Sequence, residues 1–170
     1  MITIYVDMDG VIADFDSFVL EHTGKSFDEH GSSQAGWDSV KEWPNLYALL
    51  KPMPDAYELM EGIWDLIGEW ESQSVRIEVL TAIPKIGRIP TAKEDKRVWV
   101  ENNFIPYFDA FNIGPLAEHK QYHCKPGDVL IDDMPRNIQQ WIDKGGIGIL
   151  HTSAKSTLKA LEAVLCQPNQ

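Results

Sequence analysis

With 170 residues, 44% of them apolar and 6 of them Trp, the chain is sized for one domain with a substantial core and room for a modest insertion. Its 26 acidic against 15 basic residues give a formal charge of −11, so the surface as a whole repels polyanions and no nucleic-acid polymer is expected as a partner. No apolar run approaches the roughly 20 residues of a membrane span. Met1 leads straight into Ile2–Val6 without a basic flank or cleavage site, and Cys124 and Cys166 are too few and too far apart for a disulfide framework or a metal-ligand spacing, so the chain reads as cytosolic, with reduced thiols.

In chain order, Ile2–Val6 is an apolar run that predicts a first strand, followed by a short helix ending near Gly24. A Gly/Ser-rich stretch, GSSQAG at 31–36, then leads into an aromatic segment with Trp37, Trp43 and Tyr47. Residues 16–51 therefore read as a small helical cap inserted after the first strand, and 1–15 with 52–170 as the core. Residues 54–70 place Ala56, Leu59, Met60, Ile63 and Ile67 on one helical face, with Pro54 where a first turn tolerates it. Val75–Leu80 predicts the second strand. Thr91 followed by Glu94 has the spacing of a capping box, opening a helix to about Asn103.

Strands at Ala110–Ile113, Val129–Ile131 and Ile147–Leu150 follow. A helix marked by Ile138, Trp141 and Ile142, ended by Gly145 and Gly146, lies before the last strand, and a final helix at 154–165 after it, with a frayed tail beyond Leu165. Continuous apolar strands alternating with helices specify an α/β, Rossmann-like parallel sheet of about five strands with helices on both faces. Between Lys85 and Arg97 the chain's charge balance reverses: Lys85, Arg88, Lys93, Lys96 and Arg97 face only Glu94 and Asp95. Such a run is either a solvated helix face or a local positive site for a small anion.

Ligands of open α/β sheets bind beyond the carboxyl ends of the strands, so the residues that follow each apolar run carry the functional signal. The first strand ends in Asp7-Met8-Asp9-Gly10, the second in Thr81, the fourth in Asp132-Asp133 and the fifth in His151-Thr152. Clustered carboxylates repel one another unless a hard cation or raised pKa values offset the cost. Magnesium, with manganese as an alternative, suits Asp7, Asp132 and Asp133 around a phosphate ester. The Asp7-x-Asp9 spacing lets one carboxylate attack phosphorus while the other protonates the leaving oxygen and then deprotonates water. Thr81 and a lysine can meet the phosphoryl oxygens.

These elements resemble the haloacid dehalogenase superfamily of phosphohydrolases, and within it the 5'(3')-deoxyribonucleotidase-like branch. The match lies in DMDGV at 7–11, VLTA at 79–82, a lysine before the fourth strand and VLIDDMPRN at 129–137, and spans most of the chain. The resemblance implies Asp7 as the phosphoaspartyl nucleophile, Asp9 as acid and base, and Thr81 as a phosphate contact. It further implies that Mg²⁺ is held by Asp7, the Asp9 carbonyl and Asp132, with Asp133 in support. Lys120 and Lys125 both precede the fourth strand; Lys120, 12 positions before Asp132, is the preferred superfamily lysine. Lys85 and Lys96 fall near the branch's phosphate-contacting positions, whereas Ala82 stands where that branch often has a serine.

The implied substrate is a small phosphorylated one, a nucleoside monophosphate, with Trp43 and Tyr47 of the cap as base contacts. Trp37, Trp43 and Tyr47 serve equally well as glue between cap and core. His151 reads as a core or surface histidine, and Arg136 and Asn137 as shapers of the loop after Asp133. A sugar phosphatase, and a phosphate-binding module without turnover, stand as alternative functions; the oligomeric state has no signal in the sequence.

Overall fold

The computed structural model describes residues 1–68, 75–85 and 88–166. The end of the helix expected over 54–70, and the tail beyond Cys166, lie outside the described residues. The strands are β1 (Ile2–Val6), β2 (Val75–Thr81), β3 (Ala110–Ile113), β4 (Val129–Asp132) and β5 (Ile147–Leu150), all parallel and ordered β3-β2-β1-β4-β5. The α-helices are α1 (Phe15–Thr23), α2 (Ser33–Val40), α3 (Ala56–Gly68), α4 (Ala92–Phe104), α5 (Pro135–Ile142) and α6 (Ala154–Leu165). Among the described residues no helix is long and apolar enough to cross a membrane.

Strand periodicity divides the interior. Ile4, Val6, Ile77, Val79, Val129, Ile131 and Ile149 point to one face, where they join Leu59, Met60 and Ile63 of α3, Trp99, Val100 and Phe104 of α4, and Leu161 and Leu165 of α6. The alternate residues Tyr5, Leu80 and Leu130 point to the other, against Ile138 and Trp141 of α5. Helices thus cover both faces, unevenly. On the second face Glu78 of β2 meets Arg76 and Asn112 in hydrogen-bonded or ionic contact, so the part of this face away from α5 is polar.

The segment between β1 and α3 leaves and rejoins the sheet at one place. Ala13 bridges Pro52, the Asp14 amide donates to the Lys51 carbonyl, and the Met53 amide to that of Ile12. Its apolar residues Phe18, Val19, Val40, Leu46, Tyr47 and Leu50 are buried in the same cluster as the main helices, so it adds to one core instead of building its own. Most of the Gly/Ser-rich GSSQAG is helical: Ser32 caps α2 by accepting from the Ala35 amide, and Gly36 lies inside that helix, where a β-carbon would strike the Phe27 ring. The capping box at Thr91 fails to form. The Thr91 hydroxyl, with one hydrogen, lies within hydrogen-bond reach of both the Pro44 carbonyl and Asp95, and so ties the start of α4 to the inserted segment.

Asp128 fixes β1 beside β4. Its buried carboxylate accepts from the Thr3 amide (3.0 Å) and the Lys125 amide (3.2 Å), while its carbonyl accepts from Trp141 Nε1 (3.0 Å) and the Ile147 amide (2.8 Å). Asp128→Asn keeps the shape but turns an amide N–H₂ toward an N–H donor. We expect urea denaturation to show a loss of about 1–3 kcal/mol, the cost of a buried donor left without an acceptor.

Candidate active site

The strand order reverses between β1 and β4, which opens a crevice beyond their carboxyl ends. Parallel pairing continues one step past β1, where the Asp7 amide donates to the Ile131 carbonyl (2.9 Å), and this sets Asp7 beside Asp132. The chain then turns sharply: the amides of Val11, Ile12 and Ala13 all donate to the Met8 carbonyl, and the Met8 side chain is fully buried. Gly10 makes the turn with φ 74°, and a β-carbon there would lie 2.3 Å from Asp133 Oδ2. Both its conformation and its lack of a side chain are therefore required.

Asp7, Asp132 and Asp133 present oxygens within 4.8 Å of one another. Lys120, almost wholly buried in the short 3₁₀ segment Ala117–His123, donates to Asp7 Oδ2 and to Asp132 Oδ2, both at 2.7 Å. Burial works to lower the Lys120 pKa, but the charges of Asp7 and Asp132 and the hydrogen bonds to both outweigh it and hold the ammonium above its usual range. Lys125, the other lysine before β4, is exposed. Asp133 keeps the imbalance: burial first, then the charges of Asp7 and Asp132, push its carboxyl from 3.8 up to about 7. Three carboxylates around one ammonium are an oxygen-rich, net negative donor set, which fits a hard divalent cation.

Asp132 is fixed by more than Lys120. Its Oδ1 accepts from the Met134 amide (2.9 Å), and Asn137 Nδ2 lies 3.0 Å from each of its oxygens. Asn137, expected to shape the loop after Asp133, is a buried residue of the first turn of α5 that holds Asp132, whereas Arg136 in the same turn is exposed. Pro135 at the helix start was the available signal, because a helix opening there turns its third residue back toward the strand end.

Asp9 pairs with a different lysine. Its Oδ2 accepts from Lys96 Nζ (2.6 Å), and its Oδ1 is shut off from solvent with no hydrogen-bond partner. Burial raises the Asp9 pKa; Lys96 opposes the shift and Asp7 adds to it. Lys96 is fully buried, donates also to Thr81 Oγ1 (2.9 Å) and sits 4.4 Å from the centroid of the Tyr47 ring. Thr81, occupied as an acceptor, keeps its own hydrogen for another oxygen.

A cavity of about 310 Å³ opens over Asp9, walled by Trp37, Tyr47, Ala82, Lys85, Glu118 and Asn137 among others. Of the basic run, Lys85 reaches this wall and Lys96 the site beneath it. Arg88 covers the Trp37 ring at 5.6 Å, and Arg97 is spent on Glu94 and Glu101 at the surface. Trp43 does not line the cavity; it packs edge-on against Phe18 and His22 and serves the core. Trp37 takes the wall position instead. His151 is buried with Nδ1 2.9 Å from Thr157 Oγ1, and its neutral form is favoured by burial.

A family model described as 5' nucleotidase, deoxy (pyrimidine), cytosolic type C protein matches residues 1–160. A Vibrio phage KVP40 protein provisionally named a 5'(3')-deoxyribonucleotidase is 28% identical over 147 residues, 79% of this chain and 67% of that protein. Among solved structures, a hydrolase from Streptococcus pneumoniae TIGR4 superposes with a TM-score of 0.57 at 14% identity, covering 94% of this chain and 97% of that one. A Porphyromonas gingivalis protein described as a predicted HAD-like family hydrolase gives a TM-score of 0.51 at 13% identity, with 99% of each chain covered. At these identities the two structures speak for the fold alone.

The raised Asp133 carboxyl has a consequence for stability. A carboxyl whose folded pKa, about 7, exceeds its ordinary 3.8 binds its proton more tightly when folded, so its contribution falls as pH rises from about 4 to about 7. In the presence of chelator, Asp133→Asn is expected to raise the melting temperature above wild type at pH 8, with the difference shrinking toward zero by pH 4. An equal difference at both pH values contradicts the assignment.

Proposed function

We propose that this chain, which belongs to the 5' nucleotidase, deoxy (pyrimidine), cytosolic type C family and is a phosphatase of the haloacid dehalogenase superfamily, hydrolyses nucleoside monophosphates with Mg²⁺ through an aspartyl-phosphate at Asp7. The observation that carries this reading is a pair of carboxylates two residues apart with different partners. Asp7 lies within the Asp132, Asp133 and Lys120 cluster, and Asp9, paired with Lys96, lines the adjoining cavity.

Asp7, Asp132 and Asp133, with the Asp9 carbonyl, are the residues to hold Mg²⁺, which when bound offsets the charge between Asp7 and an incoming phosphate. The Asp7 carboxylate attacks phosphorus, the ester P–O bond breaks, and the leaving oxygen takes a proton from Asp9. Water then gives a proton to Asp9 and its oxygen to phosphorus, and the Asp7 carboxylate departs. Thr81 and Lys120 meet the phosphoryl oxygens, with Lys85 at the cavity wall in support. Residues 16–51 act as a cap, and the nucleoside lies along the wall that this cap contributes through Trp37 and Tyr47.

Phosphate release is the test, measured on deoxynucleoside and nucleoside monophosphates, sugar phosphates and an aryl phosphate, with Mg²⁺ or chelator. The nucleotide esters are expected to be turned over fastest, only with the metal, and Asp7→Asn to lose on the order of 10⁴-fold or more. Preference for sugar phosphates would overturn the substrate class. Turnover that survives chelation or Asp7→Asn would overturn the mechanism.

A further inference from the structure

We infer that Thr91, at the start of α4, and Trp99, within it, are positioning residues for the nucleoside, which set the place of the Tyr47 ring in the cavity wall by holding the chain on either side of it. The inference rests on the nucleotidase reading above, in which the nucleoside lies along Tyr47, and deepens it.

Tyr47 belongs to a 3₁₀ segment, Leu46–Leu49, of only 4 residues. So short a turn closes on little of its own: the amides of Leu46 and Ala48 donate to the carbonyls of Trp43 and Asn45, at 3.1 and 3.0 Å. Further support comes from the side, from α4. The Thr91 hydroxyl reaches the Pro44 carbonyl, Lys96 Nζ lies 4.4 Å from the centroid of the Tyr47 ring, and Trp99 Nε1 donates to the Leu50 carbonyl at 2.8 Å. These contacts fall in the same order along both stretches, so residues 44–50 run alongside the helix in its own direction, pinned at each end with the ring between.

Trp99 and Leu50 are both buried, so no water replaces the indole N–H at the Leu50 carbonyl, and its loss leaves that carbonyl unpaired or frees that end of the stretch. Neither Thr91 nor Trp99 lines the cavity over Asp9, whereas Tyr47 does. What the two residues do to a bound nucleoside therefore passes through the chain that they hold. The neighbouring stretch holds the other aromatic of the wall in the same manner: Arg88 covers the Trp37 ring at 5.6 Å, and its Nη2 lies 3.3 Å from Gln34 Oε1. The basic run from Lys85 to Arg97, with the helix that it enters, thus seats the aromatic wall.

The test measures the KM of the preferred nucleoside monophosphate and its kcat, by following nucleoside formation, together with the inhibition constant of inorganic phosphate, which fills the phosphate end of the site alone. Trp99→Phe keeps a ring and removes the N–H; Thr91→Val keeps the shape and removes the hydroxyl. Each is expected to raise the nucleotide KM by on the order of 10-fold, the worth of one aromatic contact, with kcat and the phosphate constant close to wild type. Thr91→Ser, which keeps the hydroxyl, retains the wild-type KM. KM and the inhibition constant do not depend on the fraction folded, and should Trp99→Phe not fold, Thr91→Val, at an exposed position, supplies the comparison. An unchanged KM in the folded variants, or an equal rise in KM and in the phosphate constant, overturns the inference alone. Absence of wild-type nucleotide turnover overturns the nucleotidase reading, and the inference with it.

Discussion

Lys120 Nζ lies 2.7 Å from Asp7 Oδ2 and 2.7 Å from Asp132 Oδ2, with almost no exposure to solvent, and the carboxyl edge of the sheet is arranged around that contact. Two buried carboxylates on adjacent strands repel strongly in a low-dielectric interior. The ammonium between them makes the juxtaposition tolerable, and the amide of Asn137 and the backbone N–H of Met134 take up the lone pairs that remain on Asp132. Asp133 adds a further carboxyl to this compensated pair, and burial, together with the charges of Asp7 and Asp132, pushes it up to about 7. Such an excess of carboxylate oxygen suits a hard cation.

The edge also holds a second, separate ion pair, Asp9 with Lys96, whose aspartate lies only two residues from Asp7. The tight turn at Met8 and Gly10 sends the two carboxylates to different partners. This division matters for chemistry: one carboxylate remains within the carboxylate cluster and the other lines the cavity, each with a lysine on one oxygen. The inserted segment takes part through its core as well as its surface. Trp37 and the buried Tyr47 both line the cavity, and both are backed by the same apolar cluster that holds the main helices to the sheet.

Much of this was legible in the sequence because it lay in short-range pattern. Strand runs such as Ala110–Ile113 and Ile147–Leu150, and the helix over 154–165, coincide with the observed elements, since continuous apolar runs and helical periodicity are local properties. The residues that follow the strands fall at one edge for the same reason: parallel strands share a direction. What local pattern could not supply was three-dimensional pairing. Thr91 and Glu94 have a capping spacing, but Thr91 bonds instead to Pro44, 47 residues away. Ser32 and Gly36 stood in a Gly/Ser-rich stretch to which no helix was assigned, yet Ser32 caps helix α2 and Gly36 packs inside it against Phe27. Lys96 stood out through the resemblance as lying near phosphate-contacting positions, but its burial against Asp9, Thr81 and Tyr47, drawn from three distant parts of the chain, has no local sequence signature. Trp43 and Trp37 were likewise indistinguishable by composition, and only packing against Phe18 and His22 separates the core residue from the wall residue.

The central claim is that Asp7 becomes phosphorylated during turnover. Wild-type protein mixed with excess nucleoside monophosphate and Mg²⁺, quenched in acid within a turnover and digested, can be read by mass spectrometry after borohydride reduction, which converts an acyl phosphate to an alcohol. The account predicts the reduced residue at position 7 and nowhere else in the chain, and its loss when metal is withheld. Rapid phosphate release with no modification at Asp7, or with the modification on another carboxylate, would contradict it.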